Sequence, residues 1–215
     1  MWDARTEPKI LEAFAKIWGT DELLVSFDAL NVTLPNQKEK PAQKPWPHVD
    51  QSPFRRGLHC IQGIINLSHA GPEDGSLMVF PRSNTVTEGF FDTETDPSTW
   101  APKDIRLFSV EEIKCNTIRT VIYASYAPFE LATEESLKRK KEAFESYRAT
   151  THWPHENIVI RDGVVYLPDG SVDPRNRSVP LELPEHTDRV LQLAGVKSYR
   201  PRVVFFFDVF LTTPQ

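Results

Sequence analysis

The chain has 215 residues, of which 40% are hydrophobic and 11% aromatic, enough to build one core and too many for a disordered protein. Its formal net charge of −5, without a strongly basic stretch, argues against a nucleic-acid partner. No apolar run reaches the roughly 20 residues that span a bilayer, and the acidic N-terminal residues lack a signal-peptide core, so we expect a soluble cytoplasmic protein without a membrane partner.

The first part of the chain predicts a helix followed by strands. Residues 8–18 place apolar side chains at helical spacing, and Gly19 follows as a stop signal. Residues 22–34 form a β-rich run. Residues 36–47, rich in Lys, Gln and Pro, predict a surface loop that leads to His48.

The middle of the chain predicts further β-structure. Residues 57–70 and 77–83 are two strand-like runs around a Gly- and Asp-containing turn at 71–76, typical of a β-hairpin or a barrel corner. The polar residues 84–104 predict a long loop. Residues 118–128 predict the clearest strand, because β-branched and aromatic residues follow in quick succession.

The last part predicts two helices and an extended segment. Residues 134–149 predict a helix with Thr133 as its N-cap, and we interpret its basic run at 138–141 as a solvated face. Residues 185–194 predict a short helix. We expect one domain in three parts: a β-rich core with an N-terminal helix at 1–150, a wrapping segment at 151–198 and an atypical apolar tail at 199–215.

Two cysteines, Cys60 and Cys115, have neither zinc-site spacing nor the density of a disulfide scaffold. We interpret both as reduced intracellular thiols that pack in the interior.

The segment PWPHVDQ at 45–51 carries the strongest candidate for chemistry. In an extended backbone, residues two apart point the same way, so His48 and Asp50 are expected to face one point. An imidazole nitrogen and a carboxylate oxygen together suit a divalent ion, and a 2-His-1-carboxylate iron site needs one further histidine from elsewhere. The alternative is a polar loop, which the spacing alone does not exclude.

Arg119 lies in an otherwise apolar strand, TIRTVIYASY. A buried guanidinium is costly without a carboxylate partner, and its planar fork binds carboxylates bidentately. A small dicarboxylate cosubstrate would fit this role. The alternative places Arg119 at the exposed end of the strand, paired with a surface acid.

The run WPHVDQSPFRRGLHCIQGIINLSHAGPEDGSLMVFPRSN resembles the phytanoyl-CoA dioxygenase-like group of Fe(II)/2-oxoglutarate-dependent oxygenases. In that group an HxD motif precedes a PFR-type turn, a strand, an acidic Gly turn and GxLxVxPGSH. Residues 118–133, IRTVIYASYAPFELAT, resemble the strand that carries the family's 2-oxoglutarate-binding arginine. The C-terminal portion is similar to uncharacterised fungal members, and the resemblance extends roughly over residues 2–198.

This resemblance implies an all-β core with peripheral helices, arranged as a double-stranded β-helix, the jelly-roll fold of cupins. It implies that His48 and Asp50 are catalytic iron ligands and that Arg119 pairs with the far carboxylate of 2-oxoglutarate. The implied cofactors are Fe(II) and the cosubstrate 2-oxoglutarate, and the implied reaction is hydroxylation of a small organic molecule.

One family block is missing from the sequence. Members carry the third ligand in a segment like GDLILWDSRTxH before the arginine strand, whereas here EEIKCN at 111–116 passes directly into TIRTVIY. Asn84 and Arg82 also replace the His and Gly of the PGSH turn. We therefore expect an incomplete barrel and an impaired enzyme, with a catalytically inactive module that keeps a carboxylate pocket as the alternative.

The remaining histidines are weaker candidates for the third ligand. We interpret His59 as a satisfied core group, His69 and His186 as surface residues, and the pair His152 and His155 as part of a docking turn. A second metal or a substrate contact is the other interpretation of that pair. A cupin-like metal hydrolase or isomerase that uses His48 and Asp50 is a third, weaker functional hypothesis.

Two further expectations concern segments around the core. We expect residues 36–47 and 84–104 to include the pocket lids. The apolar stretch VVFFFDVFL in the tail suggests a different reading frame or a retained intron, with a strand that fills the gap in the barrel as the alternative.

Overall fold

The computed structural model describes residues 1–34, 48–71, 77, 81–100, 106–107, 119–161 and 163–199, with the backbone alone for 106–107 and 119–120. Within these ranges the helices are α1 Trp2–Thr6, α2 Pro8–Trp18, α3 Ser83–Glu94, α4 Glu134–Glu145 and α5 Asp188–Leu193. The strands are β1 Leu23–Val25, β2 Leu30–Thr33, β3 His48–Val49, β4 Ile61–Asn66, β5 Arg106–Leu107, β6 Arg119–Pro128, β7 Ala149–Thr150 and β8 Ile160–Arg161.

The sequence pattern predicted α2 correctly. Its apolar face buries Leu11 and Phe14, while Ile17 on another face stays exposed. Gly19 ends the helix in the left-handed conformation with φ 72°, and its N–H donates to the carbonyl of Ala15 at 2.8 Å. A glycine adopts this conformation without the penalty that a Cβ would bring.

Strand β6 is the centre of a four-stranded antiparallel sheet. Strand β4 pairs with it along one side, with Ile61 opposite Tyr126 and Asn66 opposite Val121. Strands β1 and β2 follow each other along the other side. Two-stranded pairs β3–β5 and β7–β8 complete the β-structure of the described residues, which form a β-rich core with helices around it and no closed barrel.

A β-bulge separates β1 from β2. Val25 lies opposite Tyr126 but Leu30 lies opposite Ile122, so this edge contains one more residue than β6 over the same length. The flanking bonds, from Ser26 N–H to the Ser125 carbonyl at 2.9 Å and from Tyr123 N–H to Ala29 at 3.1 Å, place the extra residue at 27–28. Bulges bend a strand and redirect a side chain, and they are frequent beside functional sites.

The apolar face of the sheet packs against the helices. Its core joins residues of β1 and β6, such as Val25 and Tyr126, to residues of α2, α4 and α5. Gly63 of β4 allows the close approach of α2, because a Cβ built there would lie 3.0 Å from Cζ of Phe14. This contact explains a glycine inside a strand, where it otherwise weakens the structure.

The opposite face of the sheet has polar side chains at its middle, beside the buried apolar residues Leu24, Val121 and Ala127, and we call it the polar face for those polar side chains. Ser26, Ser125 and Gln62 occupy neighbouring positions across β1, β6 and β4, and both serines are buried. The N–H of Ser125 donates to Oγ of Ser26 at 3.1 Å. Buried polar side chains are stable only where they find hydrogen-bond partners. The polar groups on this face make it the candidate binding surface of the sheet.

Three expectations from the sequence are wrong. Part of the predicted 84–104 loop is helix α3, which the buried side chain of Phe91 anchors. The predicted helix at 134–149 ends at Glu145, because Tyr147 turns to φ 55° and β7 follows. The basic run at 138–141 is not uniformly solvated, because Lys140 is fully buried.

Two further predictions about the helices are confirmed, and several others concern residues that the structure does not describe. Thr133 caps α4, with its Oγ1 accepting from Ser136 N–H at 3.1 Å, and α5 lies inside the helix predicted at 185–194. None of the described helices combines the length and apolar character that a bilayer crossing demands. Several predictions concern residues outside the described ones: the 36–47 loop, most of the turn and second strand of the 57–83 hairpin, Cys115, and residues 200–215 of the tail.

Candidate functional site

His48 and Asp50 meet, as their spacing predicted. Strand β3 places His48 opposite Leu107 of β5, and Nε2 of His48 lies 3.2 Å from Oδ1 of Asp50. Their side chains are 26% and 28% exposed, so the pair is sheltered yet open to small molecules. Their role as metal ligands stays a prediction.

Gln62 connects this pair to the polar face of the sheet. Its Nε2 donates to Oδ2 of Asp50 at 2.8 Å, which leaves Oδ1 for His48. Gln62 lies on β4, opposite Ser125 of the central strand. A hydrogen bond to the outer oxygen of a carboxylate fixes its orientation, as the supporting residues of metal-binding carboxylates do.

The bulge brings a second carboxyl group, Asp28, to the same region. Burial raises the pKa of Asp28, whereas the N–H of Ala29, which donates to Oδ1 at 2.7 Å, and the charge of His152 lower it. The charge of Asp50 raises it again, so the two carboxylates lie within electrostatic reach of each other. Sequence reasoning missed Asp28, since it sits in an ordinary β-rich run without a motif.

The bulge is fixed from several sides. Thr150 of β7 bonds Phe27 twice, with its N–H donating to the Phe27 carbonyl and its Oγ1 accepting from the Phe27 N–H, each at 3.1 Å. Arg5 of α1 donates to the carbonyl of Asp28 at 2.6 Å, and Lys140 of α4 donates to that of Val25 at 2.6 Å. An irregular strand held in this way keeps Asp28 in one position.

Cys60 is a free thiol beside the polar face, as predicted. Burial raises its pKa to about 12, against a hydrogen bond with Ser125, and the charges of Asp50, Glu156 and Asp28 raise it further. Three carboxylates that oppose one thiolate make the electrostatic potential of this region negative. The thiol therefore stays protonated and unreactive.

The His152–Glu156 segment, HWPHE, covers this region. Trp153 is 1% exposed, and the carbonyl of His152 lies 3.9 Å from Sγ of Cys60. The segment thus packs inward, in agreement with its interpretation as a docking turn. Nε2 of His152 and Nδ1 of His155 are buried without a hydrogen-bond partner among the described residues. The bare nitrogen of His152 makes it a candidate for ligand contact.

Arg119 begins the central strand, where its backbone pairs with Thr33 of β2. Its position in the strand is in phase with Val121, Tyr123 and Ser125. Its side chain lies outside the described residues, and the expected contact with a diacid stays a prediction.

The donor set for iron is incomplete in the part of the chain that the structure describes. No three His, Cys, Asp or Glu side chains converge there to hold a metal ion. His48 and Asp50 supply two suitable donors with 3.2 Å between them, which does not make the three-donor set of a non-haem iron centre.

The other histidines agree with the sequence interpretation in part: His59 is satisfied but 31% exposed rather than in the core, and His186 lies before α5 rather than on it. His59 is hydrogen-bonded at both ring nitrogens, to the Arg56 carbonyl and to Glu156. His69 is exposed, and exposed His186 lies 5.2 Å from the ring of Phe144.

The site is thus a sheltered, acid-rich polar face on an antiparallel sheet, with one histidine–aspartate pair at its edge. No family model matches the chain, and no solved structure matches it. Ava biosynthesis cluster protein O of Aspergillus versicolor is 35% identical to it over 194 aligned residues, with 72% of this chain and 63% of that protein covered.

The chain therefore spans less than two thirds of the length of the curated relative it matches. Because 72% of 215 residues is fewer than 194, the alignment also contains positions of the relative that this chain lacks.

Proposed function

We propose that this chain is an Fe(II)- and 2-oxoglutarate-dependent oxygenase of the phytanoyl-CoA dioxygenase-like type whose activity is impaired by an incomplete metal site. His48 and Asp50 are the metal donors, and Arg119 binds the far carboxylate of 2-oxoglutarate. The observation that carries the proposal is the 3.2 Å approach of His48 Nε2 to Asp50 Oδ1, with Gln62 orienting the carboxylate. An HxD pair held in this way is prepared for a divalent ion.

The fold is compatible with this proposal. An antiparallel sheet with one apolar and one polar face, its strand β6 running from the Arg119 position to Pro128, supports a portion of a double-stranded β-helix. The missing sequence block before Arg119 favours a shortened barrel. The jelly-roll arrangement belongs to the proposal.

The residues of this chain bind the ion and the diacid and orient them, and they do not themselves take part in the oxidation. His48 and Asp50 hold the ion, Gln62 holds Asp50, and Arg119 captures the diacid. Bound iron and 2-oxoglutarate supply the oxidising chemistry. Two protein donors bind iron more weakly than three, because water replaces an imidazole poorly, and weak binding limits hydroxylation.

A small organic molecule is the substrate that this site favours. The segment with the buried Trp153 shelters the polar face, and the relative's name assigns that protein to a biosynthesis cluster. We place no nucleic acid and no membrane among the partners.

The test is an anaerobic titration of the protein with Fe(II) and 2-oxoglutarate. The proposal expects the weak visible charge-transfer band of the ternary complex at high metal concentration, and slow formation of succinate once oxygen is admitted. The H48A variant should lose the band, and the matched variant H69A, at an exposed histidine, should keep it. A wild-type protein with neither band nor succinate would exclude the enzyme.

A metal-independent carboxylate-binding module is the second candidate. The lack of a three-donor group among the described side chains favours it. Calorimetry with 2-oxoglutarate separates the two, because heat of binding in the presence of EDTA supports the module, and binding that requires Mn(II) supports the oxygenase.

A further inference from the structure

The turn at 55–60 holds the His152–Glu156 segment with several side chains. Nδ1 of His59 lies 2.9 Å from Oε1 of Glu156, and Nε of Arg55 lies 3.9 Å from the same oxygen. The guanidinium of Arg55 also stacks over the ring of Trp153 at 5.2 Å. The segment that shelters the polar face is thus attached through charged groups at one end.

The hydrogen bonds of His59 require an extra proton. Nε2 lies 2.7 Å from the carbonyl of Arg56, which only accepts, so this nitrogen carries a hydrogen. Nδ1 faces a carboxylate oxygen, which also accepts unless it is protonated. A neutral imidazole with its hydrogen on Nε2 has none on Nδ1, and a carboxylate has none either. The contact between His59 and Glu156 therefore needs one additional proton, which the two side chains share.

We propose that His59 and Glu156 form a proton-dependent clamp that closes the His152–Glu156 segment over the polar face of the sheet. When the shared proton leaves, the Nδ1 lone pair meets a carboxylate, and the contact turns from attractive to repulsive. The clamp is therefore closed while the shared proton is present and loosened at higher pH, once that proton has left. The clamp does not depend on what the site binds.

The charges around His59 agree with this direction. Arg55 approaches Glu156, while the guanidinium of Arg56 points away to Asp92 at 2.8 Å.

His155 does not compete for the proton. Its Nε2 is 3.9 Å from Glu156, too far for a hydrogen bond, and the side chain is 5% exposed. Burial is the main cause that lowers the pKa of His155; the charge of Glu156 raises it, and those of His59 and Lys140 lower it further. His59 is the ring that Glu156 binds.

Opening of the clamp exposes Cys60, whose sulfur lies under the His152 carbonyl. The experiment measures the rate at which iodoacetamide alkylates Cys60, followed by mass spectrometry of its peptide, in wild type and in E156Q. A glutamine amide donates to a neutral Nδ1, so E156Q keeps the contact without the proton. The charge of Glu156 also raises the pKa of Cys60, so E156Q shifts the ratio of the two rates by a factor that is the same at every pH well below that pKa. Only the change of the ratio with pH therefore reports on the clamp.

The ratio of the wild-type rate to the E156Q rate should rise roughly tenfold between pH 6 and pH 8, the size expected for one charge-assisted hydrogen bond. H69Q, at an exposed histidine, should keep a constant ratio to wild type. A wild-type to E156Q ratio that stays level across this range overturns the clamp.

Discussion

The amine nitrogen of Lys140 lies 2.6 Å from the carbonyl oxygen of Val25 and 4.2 Å from the ring centre of Phe27, inside the core. Burial lowers the pKa of Lys140 well below its usual value, and the nearby charge of Arg5 lowers it further. The two contacts hold the strand ahead of the bulge. Lys140 therefore fixes the position of the strand at Val25 and adds no charge to the protein surface.

The stability of the protein should depend on the protonation of Lys140. Its folded pKa is lower than its unfolded value of about 10.4, so between the two values the unfolded chain binds more protons. The free energy of unfolding then rises with pH over this window, by up to about 1.4 kcal/mol per pH unit. Urea unfolding from pH 8.5 to pH 10, just below the unfolded value, should show this slope in wild type and lose it in K140M.

The control is K138M, at an exposed lysine of the same helix. It should keep the wild-type slope, and an equal slope in K140M and wild type would contradict a neutral buried amine.

Cys60 should resist alkylation in the folded protein. With a pKa of about 12, against about 8.5 for a free cysteine, its thiolate fraction at pH 8.5 is lower by about three orders of magnitude. Iodoacetamide should label Cys60 at least about a hundredfold more slowly in buffer than in denaturing urea. Fast labelling in buffer would show that the thiol is exposed or ionised.

The same thiol also affects stability at alkaline pH. Its folded pKa is above its unfolded value, so the contribution of the protonated thiol is present below about pH 8.5 and is lost as the pH rises toward 12. C60A should unfold with less pH dependence than wild type in that window, measured by urea denaturation at pH 8 and pH 10.

Gln62 should support metal binding without taking part in it directly. Q62A removes the donor to Asp50 Oδ2, and we expect roughly 10- to 100-fold weaker Mn(II) binding, measured by electron paramagnetic resonance. D50A should weaken it more. Equal binding by Q62A and wild type would show that the carboxylate needs no such orientation.

Thr150 should be essential to the bulge. T150V leaves the N–H of Phe27 without its acceptor in a buried place, which costs about 1–3 kcal/mol of unfolding free energy. T150S keeps the hydroxyl and should cost less. Urea unfolding of the two variants measures the difference, and a larger loss in T150S than in T150V would mean that the methyl group, rather than the hydrogen bond, matters.

The sequence correctly predicted those helices and strands whose own residues show a clear periodicity, propensity or stop signal. Periodic apolar residues and Gly19 defined α2, and β-branched residues defined β6 as the clearest strand. The convergence of His48 and Asp50 followed from the alternation of an extended chain. These features depend on near neighbours, which a single sequence contains.

Features that depend on distant contacts were missed. Helix α3 has a polar, threonine-rich sequence, and it is held from outside, since Arg56 donates to Asp92 and Phe91 is buried. Lys140 looked like one member of a solvated basic run, and only the position of Val25 shows why it is buried. Asp28 gained its place from a bulge that no local pattern announces.

The extra residue at 27–28 also sets the phase of the whole edge. Before it, odd positions such as Leu23 and Val25 face the helices; after it, even positions such as Leu30 take that side. A new donor beside the polar face should therefore be grafted at Ser26 before the bulge, or at Asn31 or Thr33 after it. Deletion of one residue at 27–28 would turn the side chains of β1 to the opposite face of the sheet.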